Sequence, residues 1–263
     1  MDKQLIGVEK KADVAWITLN SPDSMNALSG PMLAQLNTVV DGLHGDATVR
    51  CVVITGAGKA FCAGGDLLGF KDDLAQPTTD RLLAKLRYAQ DVFDKIEALP
   101  MPVLAAVNGY AIAGGLELIL CCDMIIASES AKIGDGHARY GIIPAGGSSA
   151  RLPRKISANR ANFMLLSAEL LPAQTLEQWG LVNRVVADAD LLQAAGELAA
   201  SISRHSPLGL KAIKDLLRTS LQVNTIEAAR AELDAFVGYA QSADFAEGLA
   251  AFAEKRKPVF RGQ

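Results

Sequence analysis

A carboxylate and an imidazole set among glycines are the groups of this sequence best suited to moving protons. The carboxylate is Glu117, inside the apolar run Leu116-Glu117-Leu118-Ile119-Leu120 that directly follows Gly114-Gly115. The imidazole is His137, in Gly134-Asp135-Gly136-His137. A carboxylate among apolar neighbours is costly to bury ionised unless it is paired or hydrogen-bonded. Glu117 is therefore a proton-transfer candidate if its helix is buried, and an ordinary surface residue if that helix has a wet face. Histidine exchanges protons near neutrality, and Asp135 could either orient the ring or cap the turn. A helix opening at Gly114 leaves free backbone N–H groups aimed at one point, where negative charge developing on a substrate oxygen can be held. The chemistry implied is proton transfer beside a stabilised oxyanion.

Other motifs carry less. The stretch Thr55-Gly56-Ala57-Gly58-Lys59 follows a strand as a nucleotide loop would. Phe61 stands where the next glycine belongs, and no Ser or Thr follows Lys59, so neither a dinucleotide nor an ATP site is expected. In Ala63-Gly64-Gly65-Asp66-Leu67 the glycines let backbone approach a ligand and Asp66 can brace the loop, with a plain tight turn as the alternative. His44 and His205 carry no pattern. No Gly-x-Ser-x-Gly elbow occurs, and Ser148-Ser149 has no evident base partner in sequence, which argues against nucleophilic acyl chemistry. Four cysteines without CxxC spacing read as reduced, mostly buried thiols, and no metal site is expected.

The elements that must hold these groups alternate. Strands are expected over residues 5–10, 13–20, 51–55, 103–107 and 123–127, with a short one at 182–186. Helices are expected from Pro31 to about Leu43, over 80–98 where Pro100 and Pro102 stop the chain, and from Gly114. That alternation predicts an α/β core. From Asp188 onward about four helical segments follow, so the expected division is a core over 1–200 and a helical C-terminal segment over 201–263. The amphipathic stretch 245–257 in that segment suits subunit contact or, equally, packing onto the chain's own core. With 263 residues, 50% hydrophobic, 21% charged and a net charge of −3, the chain reads as a soluble globular protein. It has no basic field for nucleic acid or an anionic membrane. No apolar run reaches the roughly 18 residues of a membrane span, and the first residues resemble neither a signal nor a transit peptide, so a cytoplasmic location is expected.

Nearly end to end, the chain resembles the crotonase superfamily, the enoyl-CoA hydratase/isomerase family. The segments that carry this, in order, are VAWITLNSPDSMNAL, GAGKAFCAGGDL, PVLAAVNGYAIAGGLELILCCDMIIAS, AKIGDGHARYGIIPAGGSSARLPR, QWGLVNRVV and EGLAAFAEKRK. The resemblance implies an α/β spiral of ββα units with a C-terminal helical oligomerisation segment, assembled as a homotrimer or homohexamer. It implies an acyl-CoA substrate, with CoA as part of the thioester and no separate cofactor. Two backbone N–H groups would hold the thioester oxygen as it becomes an enolate, by motif position those of Ala63 and Gly114. The loop of Ala63, Gly64, Gly65, Asp66 and Leu67 resembles the family's CoA contact, and Phe236 and Lys255 match an aromatic and a basic residue near CoA.

Family hydratases use two glutamates, and Glu117 stands at the first position. The second holds His137, and the loop PAGGSS departs from the commoner glycine-rich form. The expected function is therefore an enolate-stabilising hydratase or isomerase, with Glu117 as main base or acid and His137 as its partner. An acyl-CoA or β-diketone hydrolase or lyase, with His137 activating water, is the alternative within enzymes. A non-catalytic or RNA-binding protein of the same fold is the alternative outside them, disfavoured by the acidic balance and by Glu117. The stretch 68–90 is expected to line the acyl pocket.

Overall fold

Long apolar strands and very short ones sort into two different sheets in a computed structural model of the chain, which describes residues 3–74 and 78–263. The larger sheet contains β1 (Ile6–Lys11), β2 (Val14–Leu19), β3 (Cys51–Gly56), β5 (Val103–Val107), β7 (Met124–Ser128) and β10 (Arg184–Val186), in the order β1-β2-β3-β5-β7-β10. The smaller holds β4 (Ala60–Cys62), β6 (Tyr110–Ile112), β8 (Lys132–Gly134) and β9 (Leu171–Pro172), in the order β4-β6-β8-β9. Within the large sheet only the β1–β2 pair is antiparallel. Every residue of β5 is buried, as a continuous apolar strand covered on both faces should be. Val103, Ala105 and Val107 join the main core, while Leu104 and Ala106 pack under a helix on the other face.

The chain repeats one move. A long strand leaves the large sheet, a turn carries it to a short strand of the small sheet, and a helix follows. Thus β3 and β4 precede α2 (Leu67–Leu74) and α3 (Asp80–Glu97), β5 and β6 precede α4 (Gly114–Leu120), and β7 and β8 precede α5 (Ser148–Lys155) and α6 (Ala158–Ser167). The remaining helices are α1 (Gly30–His44), α7 (Ala173–Trp179), α8 (Leu191–Ile202), α9 (Pro207–Ser220), α10 (Thr225–Tyr239) and α11 (Ala243–Ala253). Asn108 locks two of the sheet-to-sheet turns together. Its amide donates to Gly58 O at 2.9 Å and its Oδ1 accepts from Gly56 N–H at 3.0 Å. The small sheet was not expected from sequence, and neither was α2, which begins where Asp66 accepts from Gly69 N–H at 3.1 Å. Residues 75–77, within the stretch expected to line the acyl pocket, lie outside the described residues.

Four helices, α8 to α11, follow Asp190 as expected. Helix α8 covers the large sheet. Helices α9 to α11 present exposed apolar side chains, among them Leu217, Ile226, Leu233 and Phe252. Among the described residues no helix is long and apolar enough to cross a membrane. Lys214 of α9 ties this helical segment to the core. Its buried ammonium donates to Asp123 Oδ2 at 2.7 Å and to Met101 O at 3.1 Å, and the same Asp123 oxygen accepts from Val103 N–H at 2.7 Å.

Removing one partner of a buried pair leaves the other charge uncompensated, at a typical cost of 3–5 kcal/mol. The Asp123 side chain is 30% exposed, so water softens the loss. Lys214→Ala should lower unfolding free energy by about 2 kcal/mol in urea titrations, discounted from the buried-pair range for that screening. Loss of less than about 0.5 kcal/mol, the range of an ordinary surface substitution, would show that the pair does not anchor the helices.

Candidate active site

The glycine loop after β4 is pinned from below by the turn-rich segment before α1. Asn26 is fully buried. Its amide donates to Ala57 O, Ala60 O and Phe61 O at 2.9, 2.8 and 3.2 Å, and its Oδ1 accepts from Ser21 N–H at 2.8 Å. Next to it, Met25 O accepts the N–H of Ala63 at 3.0 Å, and Leu28 N–H donates to Gly64 O at 2.8 Å. Gly64 then turns the chain with φ of +102°, where a Cβ would press Ile112 O and Ala113 Cβ at 3.0 Å. This brings Gly64 and Gly65 against the start of α4. A Cβ on Gly114 would stand 3.4 Å from Gly65 N. Among the described residues neither Gly65 N–H nor Gly114 N–H has an acceptor.

These contacts bear on one expectation. The N–H of Ala63, expected to hold a substrate oxygen, is engaged by Met25 O. The unspent N–H beside Gly114 belongs to Gly65.

Helix α4 is buried at all seven positions, so it has no wet face and Glu117 is only 4% exposed. Its carboxylate is satisfied by the loop leading into α5. Glu117 Oε1 accepts from Gly146 N–H at 2.7 Å, from Ser148 Oγ at 3.1 Å and from Ser148 N–H at 3.3 Å. The loop is held in turn by Arg151, which donates to Gly146 O at 2.9 Å and pairs with Glu97, and by Gln90, which donates to Ala145 O at 2.6 Å.

His137 opens a single 3₁₀ turn, His137–Tyr140, just past β8. Asp135, 1% exposed, both orients the ring and caps the turn. His137 Nδ1 lies 3.0 Å from each carboxylate oxygen, and the His137 backbone N–H donates to Oδ2 at 3.3 Å. Ser148 Oγ reaches Asp135 Oδ1 at 2.9 Å as well. Burial works against protonation of the imidazole. The hydrogen bond to Asp135, together with the charges of Asp135 and Glu117, outweighs it and holds His137 above its ordinary value. With Nδ1 bound to Asp135, Nε2 is the nitrogen left for chemistry.

Glu117, His137, Gly65 and Gly114 all line one cavity of about 410 Å³, together with Ala63, Asp66 and Leu67. Most of the wall is apolar and includes Phe70, Leu82, Leu86 and Phe93, so part of the 68–90 stretch does form it. Phe236 and Lys255 are not brought there within one chain. Phe236 stacks edge-on against Phe245 in the C-terminal helices, and Lys255 is exposed beyond α11. Among the described residues no cluster of His, Cys, Asp and Glu is suited to a metal ion. Ser148 was missed in the sequence, because its two carboxylate partners lie 13 and 31 residues away and no local pattern marks them.

Comparison with known proteins finds relatives along nearly the whole chain. The family model for enoyl-CoA hydratase/isomerase matches residues 9–263. The chain is 36% identical to the 2,3-dehydroadipyl-CoA hydratase of Escherichia coli (strain K12), over 97% of this chain and 98% of that protein. It is 35% identical to the 1,2-epoxyphenylacetyl-CoA isomerase of the same organism, over 100% of both. A solved enoyl-CoA hydratase from Bacillus anthracis superposes with a TM-score of 0.94 at 35% identity, covering 99% of this chain and 100% of that one.

The imidazole's raised value has a signed consequence. Its pairing stabilises the folded chain fully below about pH 6.5, the unfolded value, and that contribution is lost as pH rises through the folded value. An NMR titration should place the His137 midpoint above 6.5, and Asp135→Asn should bring it down to 6.5 or lower. An unchanged midpoint in Asp135→Asn would show that the carboxylate does not set it.

Proposed function

The chain belongs to the enoyl-CoA hydratase/isomerase family of the crotonase superfamily, and on that premise we propose that it hydrates a 2-enoyl-CoA thioester through an enolate. What carries the reading is one juxtaposition: a buried carboxylate and an aspartate-braced imidazole share a cavity with two adjacent, unspent backbone N–H groups. The N–H groups of Gly65 and Gly114 hold the thioester oxygen as negative charge develops on it. One such donor is typically worth about 3–4 kcal/mol in the barrier. They gain over water because they are fixed in place before the charge forms.

Glu117 takes a proton from water as the oxygen adds to the β carbon. The electron pair of the double bond moves toward the carbonyl to form the enolate, and the imidazolium of His137 delivers its Nε2 proton to the α carbon. Burial opposes protonation, but the pairing with Asp135 outweighs it and favours the protonated ring, which suits His137 to the role of acid. The same pair can isomerise a double bond if Glu117 takes its proton from carbon instead of water. The apolar cavity wall supports an apolar acyl group. The exposed apolar face of α9 to α11 supports assembly into a homo-oligomer, for which the family pattern gives a trimer or hexamer. Phe236 and Lys255 are proposed to reach CoA only in that assembly.

Product analysis on a panel of enoyl-CoA thioesters tests the reaction. A 3-hydroxyacyl-CoA supports it, whereas free thiol or a cleaved carbon–carbon bond overturns it in favour of hydrolysis or lysis. Glu117→Gln should lower kcat by about 10²–10⁴, the usual worth of a positioned general base. A kcat unchanged by that substitution would remove Glu117 from the mechanism.

A further inference from the structure

We propose that Ser148 is a positioning residue that couples the proton states of Glu117 and His137, by turning its single hydroxyl proton between Glu117 and Asp135. The inference rests on the reading of Glu117 and His137 as the acid–base pair. It starts from a shortage of protons. Ser148 is fully buried, and its Oγ lies 2.9 Å from Asp135 Oδ1 and 3.1 Å from Glu117 Oε1. A serine hydroxyl has one proton to donate, while an ionised carboxylate only accepts. The hydroxyl can therefore serve one of the two carboxylates at a time. Both are buried, so the one it leaves is the worse off.

Which carboxylate needs the donor depends on the step. Before reaction, Glu117 is a carboxylate and Asp135 is paired with the imidazolium of His137, so the hydroxyl belongs to Glu117. After reaction, Glu117 carries a proton and His137 has given one from Nε2. Asp135 keeps the Nδ1–H but has lost its cationic partner, and the hydroxyl turns to Asp135. All three donors on Glu117 reach Oε1, which leaves Oε2 to take the proton. No covalent bond to Ser148 forms or breaks. Glu117 releases its proton to solvent, His137 takes one up, and the hydroxyl swings back. Each transfer thus favours the other, and the states in which both groups or neither hold a proton are disfavoured.

Other ionisable groups face this chain of contacts. Arg151 on α5 holds Gly146 and is paired with Asp94 and Glu97 of α3. Cys121 lies one turn beyond Glu117 at the C-terminal cap of α4, and burial pushes its thiol up strongly. Asp66, Lys85, Tyr88 and Tyr140 line the same cavity. All of them are common to the wild type and a Ser148 variant, so a difference between the two reads the hydroxyl.

The test compares the full chain with Ser148→Ala, Ser148→Cys and Ser148→Thr. Without the hydroxyl, Asp135 and Glu117 each lose a donor, so both become better proton acceptors. The His137 midpoint in an NMR titration should move up in Ser148→Ala, and both limbs of the kcat–pH profile should move to higher pH. The turnover number should fall about tenfold to a hundredfold with KM held within about twofold, as for loss of a proton-handling group. The thiol of Ser148→Cys keeps the volume and donates weakly, so it should move every readout in the same direction, and it carries the test if the alanine variant does not fold. Ser148→Thr, which keeps a hydroxyl, should restore the His137 midpoint. An unmoved midpoint in the alanine and cysteine variants overturns the proposal, as does a change confined to KM. The titration needs no substrate. A displaced midpoint in a protein that turns over no acyl-CoA would support the link while sinking the functional reading.

Discussion

The requirement to satisfy one buried carboxylate shapes the centre of this molecule. Helix α4 has water on no side, so the Glu117 side chain must find its donors inside the protein. It finds them in a distant loop, at Gly146 N–H and at the backbone and hydroxyl of Ser148. That loop can serve only if it is fixed, and Arg151 and Gln90 fix it by binding the carbonyls of Gly146 and Ala145. Position 146 has no room for a side chain, since a Cβ there would collide with Glu117 Oε2 and meet Phe93 at 2.8 Å. The loop sequence, the start of α5 and the pairing of Arg151 with α3 are consequences of the same demand. A charge that costs several kcal/mol to strand is what makes these pieces specific to one another.

The glycine-rich side of the cavity obeys a different rule, that of close approach between backbones. Gly115 packs so tightly on Cys62 O that a Cβ would overlap it. Just before the helix, Ala113 sits at φ of +52° and ψ of −115°, a conformation an alanine rarely adopts. Such strain costs on the order of 1–3 kcal/mol and survives where the surroundings over-determine it. Here Gly134 O accepts the Ala113 N–H at 3.0 Å and Glu117 N–H donates to Ala113 O at 3.0 Å, so the strained residue is clamped from both sides. The clamp ties the start of α4 to the strand that leads to Asp135. The start of α4, Glu117 and the turn that carries His137 are therefore set by one short piece of backbone.

Sequence made half of this visible. Strands β3, β5 and β7 announce themselves through uninterrupted apolar runs, and the unbroken apolar flanks of Glu117 correctly implied a helix without a wet face. Asp135 was legible because its partner is two residues away. The small sheet was not, because strands of two or three residues have no room for an alternating pattern, and they are held by neighbouring turns such as that of Asn108 rather than by their own propensity. The choice between Ala63 and Gly65 as donor was hidden for a related reason. Both sit in one glycine loop, and what separates them is that Met25, remote in sequence, already accepts one of the two N–H groups. Ser148 was invisible on the same grounds. Contacts between distant residues decide function here, and local pattern cannot report them.

The histidine at position 137 follows from the company it keeps. Asp135 is 1% exposed, and a second carboxylate, Glu117, lines the same cavity. A third carboxylate at 137 would place three like charges in a region poor in water, where they repel one another. An imidazole removes that conflict, since its Nδ1 lies against Asp135 while Nε2 is left unengaged by it. Asp135 and His137 are thus one unit: the aspartate holds Nδ1 and favours the protonated ring, and the ring satisfies the buried carboxylate. Glu117 then shares the cavity with an imidazole rather than with a further carboxylate. The two candidate groups thus differ in kind before any substrate enters.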